Sequence, residues 1–255
     1  MKYYIVNAFS SGVGNGNPAC VVYTDEYLED EEMQQFAAVM NLSETAFVKK
    51  LENGYSLRWF TPSFEIDLCG HATLASAYVI LDLEHEEYDE VDFYTKSGIL
   101  HVDRISDSFY EMLFPKRSMI PFAPSSKVYE AIGLRGEYYA SREIVVVLED
   151  EEQVARYQPD YDRLAGIDDF IGVVITAPGR RVDFVSRYFC TGLRREDPVT
   201  GSSHCYLAPF WSHRLQKKKL IAKQMSERGG TIWCRDADDG VYLSGSLFLS
   251  LEGNF

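Results

Sequence analysis

The sequence lacks the features of several large classes of protein. Of its 255 residues, 25 are Lys or Arg and 39 are Asp or Glu, so the formal net charge is −14. Such a chain has no surplus of cations with which to bind phosphates, and this argues against a nucleic-acid partner. No apolar run approaches the roughly 18 residues that a membrane helix needs. The N-terminus also lacks the apolar core and cleavage site of a signal peptide. We therefore expect a cytoplasmic protein without a membrane partner.

The chain also lacks the spacing of a disulfide framework, a metal site or a dinucleotide site. Its five cysteines are Cys20, Cys69, Cys190, Cys205 and Cys234. They are odd in number and form no CxxC pair, which argues against disulfides and against zinc. The histidines at 71, 101, 204 and 213 show no ligand spacing, and this disfavours a metal-dependent hydrolase. The glycines of the turn at 10–18 do not follow the GxGxxG pattern into a helix. We expect no metal and no cofactor.

One stretch of the sequence occurs twice in outline. Arg58–Ala75 begins with Arg, an aromatic residue and Phe, passes a Glu and an Asp, reaches a Gly and enters an apolar segment. Arg187–Ala208 follows the same outline. The glycine pairs that share an offset of 131 positions are Gly70 with Gly201 and Gly98 with Gly229. Two separate landmarks with one offset predict a duplicated half, not a solenoid, whose units recur about every 20–50 residues.

A buried helix is predicted in each half. Residues 71–81 are apolar or small on every side, and a helix of this kind is buried on all faces. The second central helix is predicted at 203–211, where Pro209 should kink or tighten the turn before it. Strands are predicted at 2–9, 19–23, 42–48, 55–60, 91–95, 99–104, 108–113, 143–148, 170–176, 182–189, 230–235, 240–244 and 246–251. Further helices are predicted at 32–40 and 150–165, and a linker near 116–126. The pattern predicts curved sheets wrapped around central helices.

Both repeats provide a glycine turn that leads into a helix N-terminus, whose free N–H groups attract an anion. Two such ends facing across a cleft would hold a carboxylate and stabilise negative charge that develops beside it. The candidate acid and base groups near these turns are Glu44, His71, Asp197 and Ser202. Glu44 stands in an otherwise apolar strand, where partial desolvation raises a carboxyl pKa and suits proton exchange near neutrality. Each residue alone also has an ordinary explanation as an exposed side chain, a cap or a turn.

At these residues the sequence resembles a known family. The segments that carry the resemblance are Asn17–Val22, Asn41–Val48, Arg58–Pro62, Glu65–Ala75, Glu196–Ser202 and Gln224–Gly230. They resemble the phenazine biosynthesis PhzF-like family over nearly the whole chain. The resemblance implies an α+β fold of the diaminopimelate epimerase-like type, with two pseudo-symmetric halves that are each a curled, mostly antiparallel sheet around a central helix. The halves are expected at 1–115 and 116–255, with terminal segments that can cross over and an active site in the cleft between them.

The resemblance also implies an activity. The founding phenazine enzyme is a cofactor-free isomerase that acts on trans-2,3-dihydro-3-hydroxyanthranilate, so a small carboxylate-bearing substrate and a homodimer are expected. Glu44, in the Leu-Ser-Glu-Thr segment, would be the general acid/base. His71, Asp197 and Ser202 would line the pocket and assist the proton transfer. The residues expected to approach or bind the substrate are Asn17, Ser43, Gly70 and Gly201.

Two other functions stay open at this point. Related epimerases use two opposed cysteines, but Glu196–Ser202 contains none, so a two-thiol racemase is disfavoured and Cys69 is expected to be a small buried residue. A binding or regulatory protein that kept the fold without chemistry is the alternative, because fold does not fix function. One departure from the family is Phe189-Cys-Thr191, where its members commonly have Phe-Ala-Pro.

Overall fold

The computed structural model describes all 255 residues, which form two compact units. Unit 1 consists of Met1–Leu113 and Tyr242–Phe255, and unit 2 of Phe114–Val241. The halves are expected at 1–115 and 116–255, with terminal segments that can cross over. In the structure the C-terminal segment belongs to unit 1, because the last strand of the chain pairs with the first strand of that unit.

Unit 1 is a mixed sheet that closes into a ring. Its strands are β1 (Lys2–Ala8), β2 (Asn17–Thr24), β3 (Glu44–Lys50), β4 (Tyr55–Phe60), β5 (Glu65–Ile66), β6 (Glu90–Thr95), β7 (Gly98–Ser106), β8 (Phe109–Phe114) and β17 (Val241–Asn254). The pairing runs β17–β1–β2–β3–β4–β6–β7–β8 and returns to β17. The pairs β2/β3 and β4/β6 are parallel, while β1/β17, β1/β2, β3/β4, β6/β7 and β7/β8 are antiparallel.

A single helix occupies the middle of this ring. The α-helix α2 (Gly70–Tyr78) continues as one π-helical turn over Val79–Glu84. Every side chain from His71 to Ala77 is buried, as the uncharged sequence predicted. The predicted helix at 71–81 is therefore confirmed as a helical segment, although its last turn is wider than an α-helical turn. The amphipathic helix α1 (Asp30–Met40) lies between β2 and β3 in the chain and buries Met33 and Ala37.

Unit 2 repeats this plan. Its strands are β9 (Ile120–Pro121), β10 (Glu137–Ala140), β11 (Ile144–Val147), β12 (Gly172–Pro178), β13 (Phe184–Cys190), β14 (Arg195–Asp197), β15 (Lys219–Gln224) and β16 (Gly230–Asp236). Its helices are α3 (Ser126–Ile132), α4 (Glu151–Arg156), α5 (Tyr161–Leu164) and α6 (Gly201–Leu215). The pairs β11/β12 and β13/β15 are parallel, like β2/β3 and β4/β6, and α6 takes the place of α2. The predicted α+β class and the duplicated plan are thus confirmed.

Several predicted elements differ in detail. The predicted helix at 150–165 is two short helices, because Pro159 disfavours helical geometry at the residue before it. The strand β15 was missed, although exposed and buried side chains alternate along it. The predicted linker contains β9, and α3 begins at its end, while the strands predicted at 240–244 and 246–251 are one strand. Helix α6 continues past Pro209 to Leu215. None of the helices combines the length and apolar composition needed to span a bilayer.

The repeated Arg and Glu of the sequence form the same ion pair in each unit. In unit 1, Arg58 donates from Nε and Nη2 to the two carboxylate oxygens of Glu65, at 2.8 and 2.9 Å. In unit 2, Arg187 makes the same two-pronged contact with Glu196, at 2.7 and 2.9 Å. Such paired hydrogen bonds fix both the distance and the orientation of the partners. Each ion pair connects the two strands of a hairpin, β4/β5 or β13/β14, just before the central helix begins.

Each guanidinium is also packed against an aromatic ring. Arg58 lies over Phe60, with 5.2 Å between the guanidinium carbon and the ring centroid, and Arg187 lies over Phe189 at 4.9 Å. This explains why the sequence repeats Arg, aromatic, Phe, since the cation and the ring two positions later share one face of the strand. The more buried pair is in unit 2, where Arg187 also donates to the carbonyls of Val154 and Tyr157.

The Arg187 pair generates a stability prediction. Arg187→Met leaves a largely buried carboxylate and two carbonyl groups without their donor, so we expect a loss of about 3–5 kcal/mol in the free energy of unfolding. Urea denaturation measures this loss. The control is Arg194→Met, because Arg194 pairs with Asp162 at the exposed surface and its loss should cost less than about 1 kcal/mol. Equal effects of the two substitutions would contradict the role given to Arg187.

Candidate functional site

In unit 1, three groups capable of proton or metal chemistry meet at the start of α2. Glu44 is the first residue of β3, Cys69 is the residue that caps α2, and His71 lies in its first turn. The Nε2 atom of His71 lies 3.1 Å from Oε2 of Glu44. Its Nδ1 atom lies 3.5 Å from Sγ of Cys69. The imidazole thus bridges a carboxyl and a thiol.

The local sequence explains why these side chains converge. Cys69 has extended backbone geometry, and its carbonyl accepts hydrogen bonds from the Thr73 amide at 3.1 Å and the Thr73 hydroxyl at 2.6 Å. This anchors the first turn of α2 and directs the helix inward. The register of β2 against β3 pairs Ala19 with Glu44, so the carboxyl-bearing residue lies where these two parallel strands begin. The first turn of α2 contains no acidic residue. The positive end of the helix dipole is therefore not neutralised by a carboxylate from the same helix.

The electrostatics of the cluster favour a charged imidazole. Burial by itself lowers the pKa of His71, but the charges and hydrogen bonds of Cys69 and Glu44 outweigh burial and raise the pKa of His71 well above 6.5. Burial raises the pKa of the Cys69 thiol. A protonated imidazole beside a carboxylate is an ion pair that can hold one proton ready to move. The arrangement suits acid–base chemistry.

The remaining candidate residues of unit 1 lie around this cluster. Asn17 is fully buried at the first position of β2, two residues before the partner of Glu44. Ser43 directly precedes β3 and is partly buried. Gly70, the first residue of α2, separates Cys69 from His71 in the chain. Sequence proximity therefore puts Ser43 and Gly70 next to the cluster, while Asn17 lies at the start of the strand that pairs with β3.

In unit 2, a different set of groups occupies the equivalent helix start. The Thr200 hydroxyl donates a short hydrogen bond to Oδ2 of Asp197. Gln224, which is fully buried, holds the same turn. Its Oε1 accepts from the Thr200 amide at 2.8 Å, and its Nε2 donates to the Asp197 carbonyl at 2.8 Å and to the Thr200 hydroxyl at 3.1 Å. One side chain thus fixes both ends of the turn that presents Asp197.

The other residues of this helix start differ sharply in burial. Gly201 is buried as the first residue of α6, and Ser202 is exposed beside it. His204 is fully buried, and its Nδ1 atom lies 2.8 Å from the Thr200 carbonyl. Burial lowers the pKa of His204 to about 4, against a smaller opposing effect of that carbonyl. Near neutral pH, the raised pKa of His71 therefore favours a charged ring, whereas the lowered pKa of His204 favours a neutral ring.

The structure adds two residues to those that sequence reasoning selected. Thr200 lies 131 positions after Cys69 (69 to 200), the offset already found for the glycines, so it is the counterpart of Cys69. Gln224 lies in a segment that carries the family resemblance, but no role was assigned to it. The shared offset would have identified Thr200. Nothing in the spacing pointed to Gln224, because strand β15 was itself missed.

The expectation that the protein binds no metal stays a prediction. The histidine spacing predicted no cluster of metal ligands, whereas the fold brings two sets of possible ligands together. In each of them, the ligand atoms lie within 4.8 Å of one another. One is Glu44, Cys69 and His71, largely buried, and the other is Glu90, His101 and Asp103, at the surface. Cys69 is buried as expected, but its thiol contacts His71 and is not only a packing group.

The two histidines generate a pH prediction. We expect NMR titration to find the His71 ring still protonated at pH 7 and the His204 ring neutral down to about pH 4. Glu44→Gln removes a negative charge and should lower the pKa of His71 while leaving His204 unchanged. Because the pKa of His71 is raised on folding, its contribution to stability is complete below pH 6.5 and is lost as the pH rises through the folded-state pKa. A His71 pKa at or below 6.5 would contradict this assignment.

The Gln224 contacts generate a second prediction. Gln224→Met keeps the approximate volume but removes the acceptor for the Thr200 amide and the donor for Asp197 and Thr200. We expect a loss of about 1–3 kcal/mol in the free energy of unfolding, with faster hydrogen exchange at the Thr200 amide. Gln153→Met is the control, since Gln153 is exposed and its loss should change stability by no more than about 0.5 kcal/mol. Unchanged exchange at Thr200 would refute the role of Gln224.

Comparison with known proteins shows which family has this architecture. Residues 6–253 match the family model described as phenazine biosynthesis-like protein (PhzC-PhzF). The chain is 41% identical, over 99% of its length and 97% of the relative's, to an uncharacterized isomerase of Pseudomonas aeruginosa. It is 42% identical to a PhzF-family phenazine biosynthesis protein of Enterococcus faecalis, with a TM-score of 0.94 over 99% and 97% of the two chains.

A more distant structure shares the fold alone. A hydroxyproline epimerase from Agrobacterium vitis is 10% identical, with a TM-score of 0.60 over 99% of this chain and 91% of the epimerase. The two arrangements described above, a proton-bearing cluster at one helix start and a braced aspartate at the other, thus occur in a fold that epimerases also use.

The length of the family match and the identity to the Pseudomonas aeruginosa and Enterococcus faecalis relatives show that the chain belongs to the phenazine biosynthesis-like (PhzC-PhzF) protein family.

Proposed function

We propose that this protein is an isomerase that moves a proton on a small carboxylate-bearing substrate without a cofactor, with Glu44 as general acid and base. The observation that carries the proposal is the contact between Glu44 and His71, 3.1 Å apart at the start of a buried helix. Relatives named as isomerases support the reaction class.

In the proposed reaction, the Glu44 carboxylate removes a proton from a carbon beside an electron-withdrawing group and returns it to another carbon. No electrons are gained or lost overall, so the substrate and product are isomers. The charged His71 ring stabilises the carboxylate form of Glu44 before the transfer. It also limits the cost of the negative charge that develops on the substrate. General acid–base catalysis of this kind contributes about 100- to 10,000-fold to a rate.

The helix starts are the proposed anchors for the substrate carboxylate. The amides at the N-terminus of α2, around Gly70, have no acidic residue in the first turn to compete for them, and the same holds at Gly201 in α6. Such an end attracts a carboxylate through its free N–H groups and its dipole. Asn17, Ser43, Asp197 and Ser202 are proposed to position the polar groups of the substrate.

Two contrasting functions make different demands on the same residues. A two-thiol racemase needs an opposed pair of thiols, and Thr200 stands where the counterpart of Cys69 would be. A threonine hydroxyl ionises far less readily than a thiol and does not replace it as a base. A non-catalytic binding protein would keep the helix starts but would not need the Glu44–His71 pair. The homodimer remains a prediction from the family, and the cytoplasmic location remains a prediction from the sequence.

The direct test uses trans-2,3-dihydro-3-hydroxyanthranilate, the substrate that the family resemblance suggests, in deuterium oxide. We expect wild-type protein to form an isomer that carries solvent deuterium at carbon. Glu44→Gln should lower the rate by about 100- to 10,000-fold without changing the unfolding temperature. Glu26→Gln is the control, because Glu26 is an exposed carboxylate paired with Lys49 and should leave the rate unchanged.

If this compound is not turned over, the same pair of proteins is incubated with a metabolite extract in deuterium oxide. Mass spectrometry then searches for compounds that gain deuterium with wild-type protein and not with Glu44→Gln. Full activity of Glu44→Gln on any such compound would rule out Glu44 as the acid/base. Binding of a carboxylate without deuterium exchange would favour the non-catalytic function.

A further inference from the structure

The cluster at the start of α2 contains a thiol, a possible metal ligand that acid–base chemistry does not require. A proton transfer by Glu44 and His71 needs no sulfur atom, yet Sγ of Cys69 lies 3.5 Å from Nδ1 of the imidazole, while the carboxylate lies near Nε2. The three ligand atoms are a thiol sulfur, an imidazole nitrogen and a carboxylate oxygen, all within 4.8 Å of one another. Sulfur and imidazole nitrogen together favour zinc over magnesium or calcium, which prefer oxygen.

We propose that Cys69 and His71 bind a zinc ion between Sγ and Nδ1, with the Glu44 carboxylate orienting the imidazole through Nε2. Zinc occupancy would be a reversible inhibited state of this protein. Inhibition by zinc rests on the proposed function, whereas the metal site itself does not.

The separation of the two donor atoms fits a tetrahedral ion. Zinc bonds are about 2.3 Å to a thiolate and about 2.0 Å to an imidazole nitrogen, and a tetrahedral angle between such bonds puts the donors about 3.5 Å apart. The observed distance between Sγ and Nδ1 is 3.5 Å. An ion can therefore replace the proton that these two atoms share without a large movement of either side chain.

The second ring nitrogen lies close to a carboxylate, the kind of group that a metal-bound histidine usually contacts. Histidines that bind metals commonly donate their other N–H to a carboxylate, which fixes the ring orientation and strengthens the ligand. Here Nε2 of His71 lies 3.1 Å from Oε2 of Glu44. The same contact therefore serves a bound ion as well as a proton transfer. Because it cannot do both at once, zinc and turnover should exclude each other.

The backbone gives the two ligands little freedom to separate. Cys69 and His71 are separated by one glycine, and the double hydrogen bond from Thr73 to the Cys69 carbonyl fixes the turn that holds them. Both residues are buried, with side-chain exposure of 8% for His71. Ligands that are held in position before binding lose less conformational entropy when the ion arrives.

The surface set around His101 provides an internal comparison. His101 contacts Asp92 at 2.7 Å and Asp103 at 3.2 Å, and Glu90 at 3.9 Å, and its side chain is 46% exposed. This set contains no sulfur and is open to solvent. A spectroscopic signal from a metal–sulfur bond therefore cannot arise from an ion bound at this surface set.

The test uses Co²⁺ as a coloured probe for the zinc site and Zn²⁺ as its competitor, with purified full-length protein. We expect one equivalent of Co²⁺ to give a near-ultraviolet thiolate-to-cobalt charge-transfer band, and Zn²⁺ to abolish that band by displacement. Cys69→Ser should remove the band. Glu44→Gln should keep the band but weaken metal affinity about 10- to 100-fold, as loss of a carboxylate partner of a ligating histidine does.

Two substitutions serve as matched controls. Cys190→Ser removes a different thiol, one that is partly exposed, and His101→Asn removes the histidine of the surface set. Both substitutions should leave the band and the zinc affinity unchanged. A band that survives in Cys69→Ser, or that is lost in Cys190→Ser, would overturn the assignment. Absence of any thiolate band at Co²⁺ concentrations of 100 times the protein would also overturn it.

A measurement on unmodified protein covers the case in which Cys69→Ser fails to fold. X-ray absorption of the zinc-loaded wild-type protein should find one sulfur at about 2.3 Å and nitrogen or oxygen ligands at about 2.0–2.1 Å. A shell of nitrogen and oxygen alone would refute the site. These readouts need no turnover, so they stand if the isomerase proposal fails. Conversely, deuterium exchange that is insensitive to bound zinc would refute only the inhibition.

Discussion

In each unit, a guanidinium held by a carboxylate fixes the hairpin from which the central helix starts. Arg58 with Glu65 and Arg187 with Glu196 make the same two parallel hydrogen bonds, and each arginine lies on a phenylalanine ring. The direction of the following turn depends on this pair. A helix buried on all sides must enter its sheet at one place and one angle, because the packed interior leaves no alternative arrangement. The ion pair fixes the place and the angle at which the helix enters the sheet. It therefore positions the helix start, where chemistry is proposed.

The two helix starts share a scaffold but carry different groups. Cys69 and His71 in unit 1 correspond to Thr200 and Ser202 in unit 2. His71 is buried against Glu44, whereas Ser202 is exposed beside Asp197 and its hydrogen-bonded neighbour Thr200. Duplication thus gave both units the same N-terminal helix geometry. The side chains then diverged into an imidazole–carboxylate contact in unit 1 and a braced carboxylate in unit 2.

Two distant parts of the chain give each cluster its chemistry. The pKa of His71 is raised because a residue from β3 and a residue at the cap of α2 meet its ring, although Glu44 and His71 are far apart in sequence. The turn at Asp197 is rigid because Gln224, from β15, reaches three of its groups. Both effects depend on strand pairing. They require the sheets to have formed, and no local pattern encodes them.

The sequence by itself determined the duplication, the buried helix at 71–81 and the positions of the two glycine turns. These follow from repeated spacing and from an uncharged run, which are local properties of the chain. It also pointed to Glu44, His71, Asp197 and Ser202, through motif resemblance. Tertiary structure alone decided that Cys69 and Glu44 both contact one imidazole, that Gln224 braces Asp197, and that the last 14 residues, Tyr242–Phe255, complete the ring of unit 1. Contacts between residues distant in sequence depend on strand register, which is fixed only when the whole sheet buries its apolar face.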